Sequence, residues 1–437
     1  MSQSLRSRPL IPRGPIGVVV AIGVLVVCWT CNYGEVVVVE PAATGHGPLT
    51  LSFQVDGEDG AVARELGWSA GIPGAGITIT AGGGDTAVGP PVATLQTDSM
   101  GRVSVSDLPD GDYFVAVRRL LTPAEAARLT PGEDVVGFLA QAVLSRGANT
   151  VFVPASRRHS LVISEWSFFG EPIPGVGGYD FGGYLELENN SDTTVYLDGL
   201  VIGLGVRIAD DNVPGGCAAW AYLTNDPEGI WSQMFDSLPG TGHTYPLAPG
   251  AVALIATDAI DHSTITPEGL DLSHANFAFV GDADAVNPNV PNTASIGIRP
   301  YWFGHGLILN GGIATVVFVS LPVDTAALPK TEAGPSDGTY ALGIERIPRA
   351  GILDAMTIFW PGLTAYGPLC PQLVNAAFDR RQAPLDISHV DGEGDAGRWS
   401  IQRKVAYTRP DGRKILQHTR TTDADFFLGL RTPFQLP

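Results

Sequence analysis

The sequence has few charged residues and a marked shortage of basic ones. Its 437 residues include 26 Lys and Arg against 45 Asp and Glu, so the net charge is −19, although charged residues make up only 16% of the chain. A protein with this acidic excess and no basic stripe repels the phosphates of nucleic acids. We therefore expect no nucleic-acid partner, and consider cations, glycans or other proteins instead.

Spacings typical of metal and nucleotide sites are lacking as well. No Walker loop occurs, and neither HxH nor HExxH spacing relates the scattered histidines His243, His262, His274, His305 and His389. We therefore predict a non-enzymatic protein without a cofactor. The alternative is that distant acidic and histidine side chains converge in space, which would indicate an extracellular hydrolase or an accessory subunit of one.

Cysteine is scarce, and two of the four cysteines mark the N-terminal segment. Cys28 and Cys31 lie near the end of an uncharged run, residues 14–34, that follows a basic stretch. This order is typical of a secretory signal, and the LVVC sequence ending at Cys28 resembles a bacterial lipobox except for its second valine. We predict lipidation at Cys28 or Cys31, and hence a membrane partner.

Two other interpretations of this segment stay open. A run of 21 residues just spans a bilayer of about 30 Å, so the segment could be an uncleaved membrane helix; it could also be a simple cleaved signal. All three interpretations place the bulk of the chain outside the cytoplasm. We expect an exported protein anchored at the bacterial cell envelope, at the outer membrane or the cell surface.

The other two cysteines, Cys217 and Cys370, lie in the exported part. In an oxidising compartment they can form one disulfide. The alternative is a pair of buried free thiols, because the sequence does not give the Cα separation that a disulfide requires.

Short runs of Val, Ile, Leu and Tyr separated by turn residues predict an all-β protein. In the first half, Thr97–Val103 follows the pattern TDxxGxV and Leu108–Val115 follows LPxGxYxV. These patterns resemble the carboxypeptidase-regulatory-like and prealbumin-like β-sandwich modules of secreted proteins. A capping box at Thr122 and a proline at position 123 predict a short helix over Pro123 to Leu129.

The second half carries an ordered series of motifs. Tyr184 to Gly199 contains two alternating segments around an Asn-Asn-Ser-Asp turn, which predicts a hairpin with Glu186 and Glu188 on one acidic face and solvent between their carboxyl groups. The series resembles the lamin-tail domain, an immunoglobulin-like sandwich, and the matching positions are Glu165, Glu186, Asn189, Leu197-Asp198-Gly199, Pro249-Gly250, Asn310, Asp354, Ser400 and Arg403. The resemblance implies two β-sandwiches in tandem and a hydrogen-bonding role for Glu186.

Three further segments, 271–277, 287–292 and 411–426, resemble a domain-of-unknown-function family of bacterial surface lipoproteins. We expect the following divisions: a signal or anchor at 1–31, a tether at 32–47, a first sandwich at 48–155, and a second at 156–437 with insertions near 203–245 and 257–305.

Loops on a rigid scaffold commonly carry binding residues. The insertions hold the candidate binding aromatics Trp220, Tyr222, Trp231, Tyr301 and Trp302. Exposed, they would form a platform for an unknown surface protein or a polysaccharide; the alternative is that they build a small core for the insertions themselves. The leading hypothesis is a membrane-tethered binding protein, with a structural envelope spacer as a further alternative.

Two acidic runs offer the oxygen ligands that Ca²⁺ prefers. The first comprises Asp282, Asp284 and Asn287, and the second comprises Asp391, Glu393 and Asp395. Solvated acidic turns are the alternative interpretation, because neither run has the spacing of an EF-hand loop.

Overall fold

The computed structural model describes residues 49–82, 87–105, 108, 113–130, 135–144, 150–157, 160–167, 170–173, 177–179, 182–206, 223, 226–266, 269–279, 287–297, 316–333, 342–359, 385–386 and 397–434. Strands dominate these residues, which confirms the predicted all-β class. Within the described ranges, no helix is long and apolar enough to cross a membrane.

The strands of the first half form two sheets. They are β1 (Leu49–Val55), β2 (Gly76–Gly82), β3 (Ala87–Gln96), β4 (Arg102–Val105), β5 (Tyr113–Leu120), β6 (Val135–Leu144), β7 (Thr150–Val153) and β8 (Ala155–Arg157). A three-stranded sheet has the order β4-β1-β7, and a five-stranded sheet has the order β3-β2-β5-β6-β8. Both sheets contribute to one apolar core that includes Phe53, Ile77, Val115 and Phe138.

Two short helices accompany these sheets. Helix α1 (Gly60–Leu66) buries Val62, Ala63 and Leu66 and ends at Gly67, whose positive φ of 74° favours glycine. Helix α2 (Pro123–Ala126) begins with a complete capping box between Thr122 and Glu125. The predicted helix at Pro123 is therefore present, although it ends at Ala126 and not at Leu129.

The strands of the second half are β9 (Leu161–Ser167), β10 (Gly170–Ile173), β11 (Gly177–Tyr179), β12 (Tyr184–Asn189), β13 (Val195–Tyr196), β14 (Val201–Gly205), β15 (Gly229–Ser237), β16 (Pro246–Leu247), β17 (Val252–Ala256), β18 (Phe277–Ala278), β19 (Ala294–Ser295), β20 (Val316–Ser320), β21 (Lys330–Ala333), β22 (Leu342–Pro348), β23 (Ile352–Phe359), β24 (Leu385–Asp386), β25 (Trp399–Arg403), β26 (Val405–Thr408), β27 (Lys414–Leu416) and β28 (Phe426–Leu430). A short helix, α3 (Thr422–Asp425), precedes β28.

Two large sheets organise this half. A six-stranded sheet has the order β18-β17-β12-β9-β25-β28, and an eight-stranded sheet follows the path β21-β22-β15-β14-β20-β23-β24 with β19 beside β15. Their main shared core contains Ile163 and Leu185 from the first sheet and Ile202, Val317 and Met356 from the second. Leu185 and Leu187 point into this core, as their alternation along β12 predicts.

The predicted hairpin at Tyr184 is wrong. Strand β12 pairs with β9 and β17, whereas β13 pairs with β16. The turn between β12 and β13 is present, but it joins strands of two different sheets. Local turn chemistry predicts a change of chain direction, and only the packing of the sheets decides which strand becomes the neighbour.

Candidate functional site

Most of the predicted site residues lie outside the described ranges: Cys28, Cys31, Cys217, Cys370, Trp220, Tyr222, Tyr301, Trp302, Asp282, Asp284, Asp391, Glu393 and Asp395. Two of the predicted residues, Trp231 and Asn287, are described. The lipidation, the disulfide and the greater part of both calcium hypotheses therefore stay predictions.

Trp231 does not belong to an exposed loop. It lies in β15 with 8% of its surface exposed. Its indole N–H donates a hydrogen bond of 2.8 Å to Asp226, and the Arg346 guanidinium lies 5.7 Å from its ring centroid. The prediction that Trp231 contributes to a binding platform is wrong, because the strand turns this ring into a packed and hydrogen-bonded position.

Asn287 uses its amide group within the protein. Its Nδ2 donates to the carbonyl oxygens of Ala259 and Ser273 at 3.0 Å, and its Oδ1 accepts from the backbone N–H of Asn289 at 3.0 Å. Through these hydrogen bonds the Asn287 side chain connects the backbone at Ala259, Ser273 and Asn289. Among the side chains that the structure describes, no group of three His, Cys, Asp or Glu residues is arranged to hold a metal ion.

Three of the positions that match the lamin-tail pattern, Glu165, Glu186 and Ser400, lie on the face of the six-stranded sheet that is opposite the main core. Glu165 is fully buried, and its Oε1 accepts hydrogen bonds from the Tyr184 hydroxyl at 2.6 Å and the Ser400 hydroxyl at 2.5 Å. The backbone N–H and the hydroxyl of Thr432 also donate to this carboxyl group, both at 2.9 Å. Residues far apart in the sequence thus form a polar network in which both carboxyl oxygens of Glu165 accept hydrogen bonds.

Glu186 and Glu188 are fully buried as well, which contradicts the prediction of solvent between their carboxyl groups. Burial raises the pKa of Glu186 to about 9, with a further contribution from the charge of Glu165. Burial likewise raises the pKa of Glu188 to about 8, although Arg403, Arg413 and other cations oppose the rise. Both carboxyl groups are therefore protonated in the folded protein at neutral pH.

The hydrogen bonds of these two glutamates differ. Glu186 Oε1 accepts from the backbone N–H of Phe434 at 2.5 Å. For Glu188, neither carboxyl oxygen has a hydrogen-bond partner within the described structure. A hydrogen-bonding role is thus present for Glu186, and Glu188 is the least satisfied acidic group of this face.

A second buried network surrounds Arg403, which has no exposed surface. Its guanidinium donates to Asp354 Oδ2 at 2.5 Å and to the Ile163 carbonyl at 2.6 Å, and it lies 3.4 Å from Asp425. Burial alone would raise the pKa of Asp354, but the Arg403 charge outweighs burial and holds that pKa well below its usual range. The pattern positions Asp354 and Arg403 therefore form a structural ion pair.

An exposed loop of the first insertion is organised by Asp198. Its carboxylate accepts backbone N–H bonds from Gly242 at 3.0 Å, Thr244 at 2.8 Å and Tyr245 at 2.9 Å. Burial would raise the pKa of Asp198, but these donors outweigh it and lower the pKa to about 2. The Asp198 carboxylate is consequently ionised at physiological pH and accepts hydrogen bonds from three backbone N–H groups of this loop.

This loop presents an aromatic pair to solvent. The rings of Tyr196 and His243 meet edge to face, with centroids 4.4 Å apart. Both side chains are exposed, and 41% of the Tyr196 surface is accessible. We call Tyr196, His243 and the connecting residues 240–244 the Tyr196 platform. Its ring faces can stack against an apolar surface, and the surrounding threonine and backbone groups can form hydrogen bonds.

The sequence predicts one part of the Tyr196 platform, the outward direction of Tyr196. Tyr196 alternates with Val195 and Leu197, so its outward direction follows from strand periodicity. The contribution of His243 was missed, because the two residues are 47 positions apart in the sequence. The clue is Asp198 together with Gly240 and Gly242, whose positive φ angles of 113° and 108° allow a tight loop.

A serine-centred motif in the first half was also missed. Residues 67–71 read GWSAG and match the letters of the hydrolase nucleophile elbow. In the structure this segment follows helix α1 and leads to a β-bridge between Gln54 and Gly71. A nucleophile elbow connects a strand to a helix, so this arrangement does not match one.

One segment of the chain is similar to a family of proteins of unknown function. Residues 248–339 match the model of a family described as a protein of unknown function, DUF4876. This match confirms the predicted resemblance to a domain-of-unknown-function family for that segment. No curated protein matches the chain.

Two solved structures are similar to this chain. One is a DUF4876 family protein from Bacteroides thetaiotaomicron, with 15% identity, coverage of 89% of this chain and 98% of that chain, and a TM-score of 0.47. The other is a Streptococcal ancillary pilin, with 13% identity, coverage of 60% and 61%, and a TM-score of 0.16. Scores at this level support no inference about function.

Proposed function

We propose that this chain is a non-enzymatic, membrane-tethered protein of the bacterial cell surface that binds a polysaccharide through the Tyr196 platform. The observation that carries the proposal is the exposed Tyr196–His243 pair on a loop fixed by Asp198. A rigid aromatic pair loses little conformational entropy on binding, so its contact area contributes efficiently to affinity.

The chemistry of the Tyr196 platform favours a sugar over a large apolar partner. A pyranose ring offers one face of C–H groups and a rim of hydroxyls, which matches an aromatic ring surrounded by hydrogen-bonding groups. Thr241 and Thr244 supply hydroxyls in the loop, and Pro246 and Leu247 continue the surface along β16. Such a shallow platform suits repeated weak contacts along a polymer.

The tether and the tandem arrangement belong to the same proposal. The basic stretch, the uncharged run at 14–34 and the cysteines at 28 and 31 support an exported chain anchored by a lipid. The separate apolar cores of residues 51–155 and 161–426 support two sandwiches, the first prealbumin-like and the second lamin-tail-like. Mass spectrometry of the mature N-terminus should find a diacylglyceryl group on Cys28 or Cys31; an unmodified N-terminus would contradict the lipid anchor.

Affinity electrophoresis of the chain in gels containing bacterial and plant polysaccharides tests the binding function. We expect retardation in at least one gel, and a reduction of about fivefold in affinity for Tyr196→Ala, because one stacking contact is worth about 1 kcal/mol. Phe152→Ala is the matched control, since Phe152 is a similarly exposed ring (37%) in β7.

Two outcomes would contradict the proposal. Equal retardation of Tyr196→Ala and the unaltered chain would remove the Tyr196 platform as the binding surface. Migration unaffected by every polysaccharide tested would favour the structural spacer.

A further inference from the structure

A cleft of about 560 Å³ lies over the five-stranded sheet of the first half, and none of its described lining residues belongs to the Tyr196 platform. Its floor is the face of this sheet opposite the apolar core. Cross-strand partners form two rows on that face: Thr94, Thr78 and Ala116, and then Gly76, Arg118 and Leu139. Val405 and Ala406 of β26, together with Gln417, complete the lining. The volume is within the range of about 300–1,000 Å³ that is typical of small-molecule sites.

The residue types of the floor explain why this surface is concave. Residues directly opposite each other on neighbouring strands share a face, so Gly76 and Leu139 flank Arg118. Gly76 has no side chain and Ala116 has only a methyl group, which leaves the surface beside Arg118 low. A β-carbon at position 76 would meet its nearest atom, the Arg118 carbonyl oxygen, at 3.6 Å, an ordinary contact distance. The strand therefore has room for a side chain at position 76, and the glycine keeps the cleft open.

Arg118 supplies a cation with unused hydrogen-bond donors to this cleft. Its side chain is exposed, and its guanidinium carbon lies 5.3 Å from the centroid of the Tyr407 ring. This cation–π contact holds the guanidinium beside β26 without using its N–H groups as hydrogen-bond donors to an oxygen. Within the described ranges the Arg118 side chain makes no hydrogen bond and no ion pair, so its five N–H groups remain available to a ligand.

The cleft has one uncompensated positive charge. Its described lining includes two arginines and no acidic residue. The charge of Arg119 is compensated, because its Nη2 lies 2.6 Å from Glu125 Oε1, and its Nε donates to the Pro73 carbonyl oxygen at 2.8 Å. Arg118 has no such acidic partner, in a chain whose net charge is −19. The remaining lining is mostly apolar and includes Leu120, Leu139, Val405 and Ala406.

We infer that this cleft binds a small organic monocarboxylate with an apolar body. A guanidinium binds a carboxylate through paired, charge-assisted hydrogen bonds, and a single uncompensated arginine matches a single negative charge. The apolar part of the ligand packs against Leu139 and Val405, which removes apolar surface from water. The inference goes beyond the proposed function, because it assigns a different site and a ligand of a different class.

Isothermal titration calorimetry of the whole chain with cyclohexanecarboxylate, and with cyclohexanecarboxamide as the neutral counterpart of the same shape, tests the inference. We expect the carboxylate to bind at least tenfold more tightly than the amide. Arg118→Gln should lower the affinity for the carboxylate about tenfold, because hydrogen bonds to charged groups are stronger than neutral ones. Gly76→Val should lower it by a similar factor, since the added side chain fills the floor while Arg118 is kept. Arg102→Gln is the control, because Arg102 is an exposed arginine of β4 that does not line the cleft.

The outcomes separate this inference from the proposed function. Tyr196→Ala should leave cyclohexanecarboxylate binding unchanged, whereas it weakens polysaccharide binding at the Tyr196 platform. Absence of cyclohexanecarboxylate binding, equal binding of the amide, tighter binding of inorganic phosphate, or unchanged affinity in Arg118→Gln would each overturn the inference. An equal loss of affinity in Arg102→Gln and Arg118→Gln would also overturn it and indicate a general effect of charge.

Discussion

The buried Glu188 makes a quantitative prediction about stability and pH. Its carboxyl group is fully buried, and neither oxygen has a hydrogen-bond partner within the described structure. In the unfolded chain its pKa returns to 4.5, whereas in the folded protein it is about 8. The folded state therefore binds a proton more tightly than the unfolded state between these pH values.

The sign of the effect follows from proton linkage. Because the folded state holds more protons in this window, the free energy of unfolding falls as the pH rises from 4.5 to about 8. Each pH unit costs about 1.4 kcal/mol. The full cost is about 5 kcal/mol and is reached above pH 8. This is a large share of the 5–15 kcal/mol by which a typical domain is stable.

The substitution Glu188→Gln removes the titration and preserves the shape of the side chain. We expect the variant and the unaltered chain to differ little near pH 5, where the carboxyl group is neutral. Toward pH 8 the variant should become more stable than the unaltered chain, by about 1.4 kcal/mol for each pH unit.

Urea denaturation followed by tryptophan fluorescence, at one-unit steps from pH 5 to pH 9, measures this difference. Glu228→Gln is the control, because it makes the same substitution at an exposed side chain. A constant difference between Glu188→Gln and the unaltered chain across this range would refute the reasoning. It would mean that water or a counter-charge reaches Glu188 in the folded protein.

Three further substitutions test the fold. Arg403→Met leaves Asp354 and Asp425 buried without their cation, so it should lower the free energy of unfolding by about 3–5 kcal/mol; a loss below 1 kcal/mol in urea would contradict this. Thr122→Ala removes the capping box and should cost about 1 kcal/mol, whereas Thr122→Ser should cost less. Gly203→Ala places a β-carbon 2.4 Å from a phenylalanine ring, so calorimetry should show a lower Tm, equivalent to about 1–3 kcal/mol.

The sequence predicted strands where one face is apolar and one is polar. Leu185 and Leu187 were correctly assigned to a core, because residues two apart on a strand share a face. The same periodicity places Glu186 and Glu188 together on the opposite face. It gives no information about what covers that face, so the prediction of solvent between the two carboxyl groups is wrong, whereas the hydrogen-bonding role of Glu186 is present.

Glu186 and Glu188 are buried by segments that lie far away in the sequence. The backbone N–H of Phe434 reaches Glu186 across 248 positions, and Arg413 and Lys414 lie near Glu188. A buried carboxyl group has few aqueous neighbours, and its pKa rises because desolvation penalises the charged form. Only the folded structure therefore converts two apparently solvated acids into protonated ones.

Local signals were reliable where a few adjacent residues determine the conformation. The capping box at Thr122 and the all-β class follow from short patterns, and both are present in the structure. The turn after Asn189 is present too, since the Asn189 Oδ1 accepts the backbone N–H of Ser191 at 3.0 Å. These features need no distant partner, so the sequence alone specifies them.

Strand neighbours and binding surfaces depend on distant residues, and only the tertiary structure decided them. Tyr196 meets His243 because Asp198 folds a loop back beside β13, and Trp231 is buried because β15 pairs with β14 and β22. The sequence by itself determined an acidic, strand-rich chain with alternating faces and capped turns. The tertiary structure decided which polar groups lost their water, because desolvation and pairing depend on neighbours that are brought together only when the sheets pack.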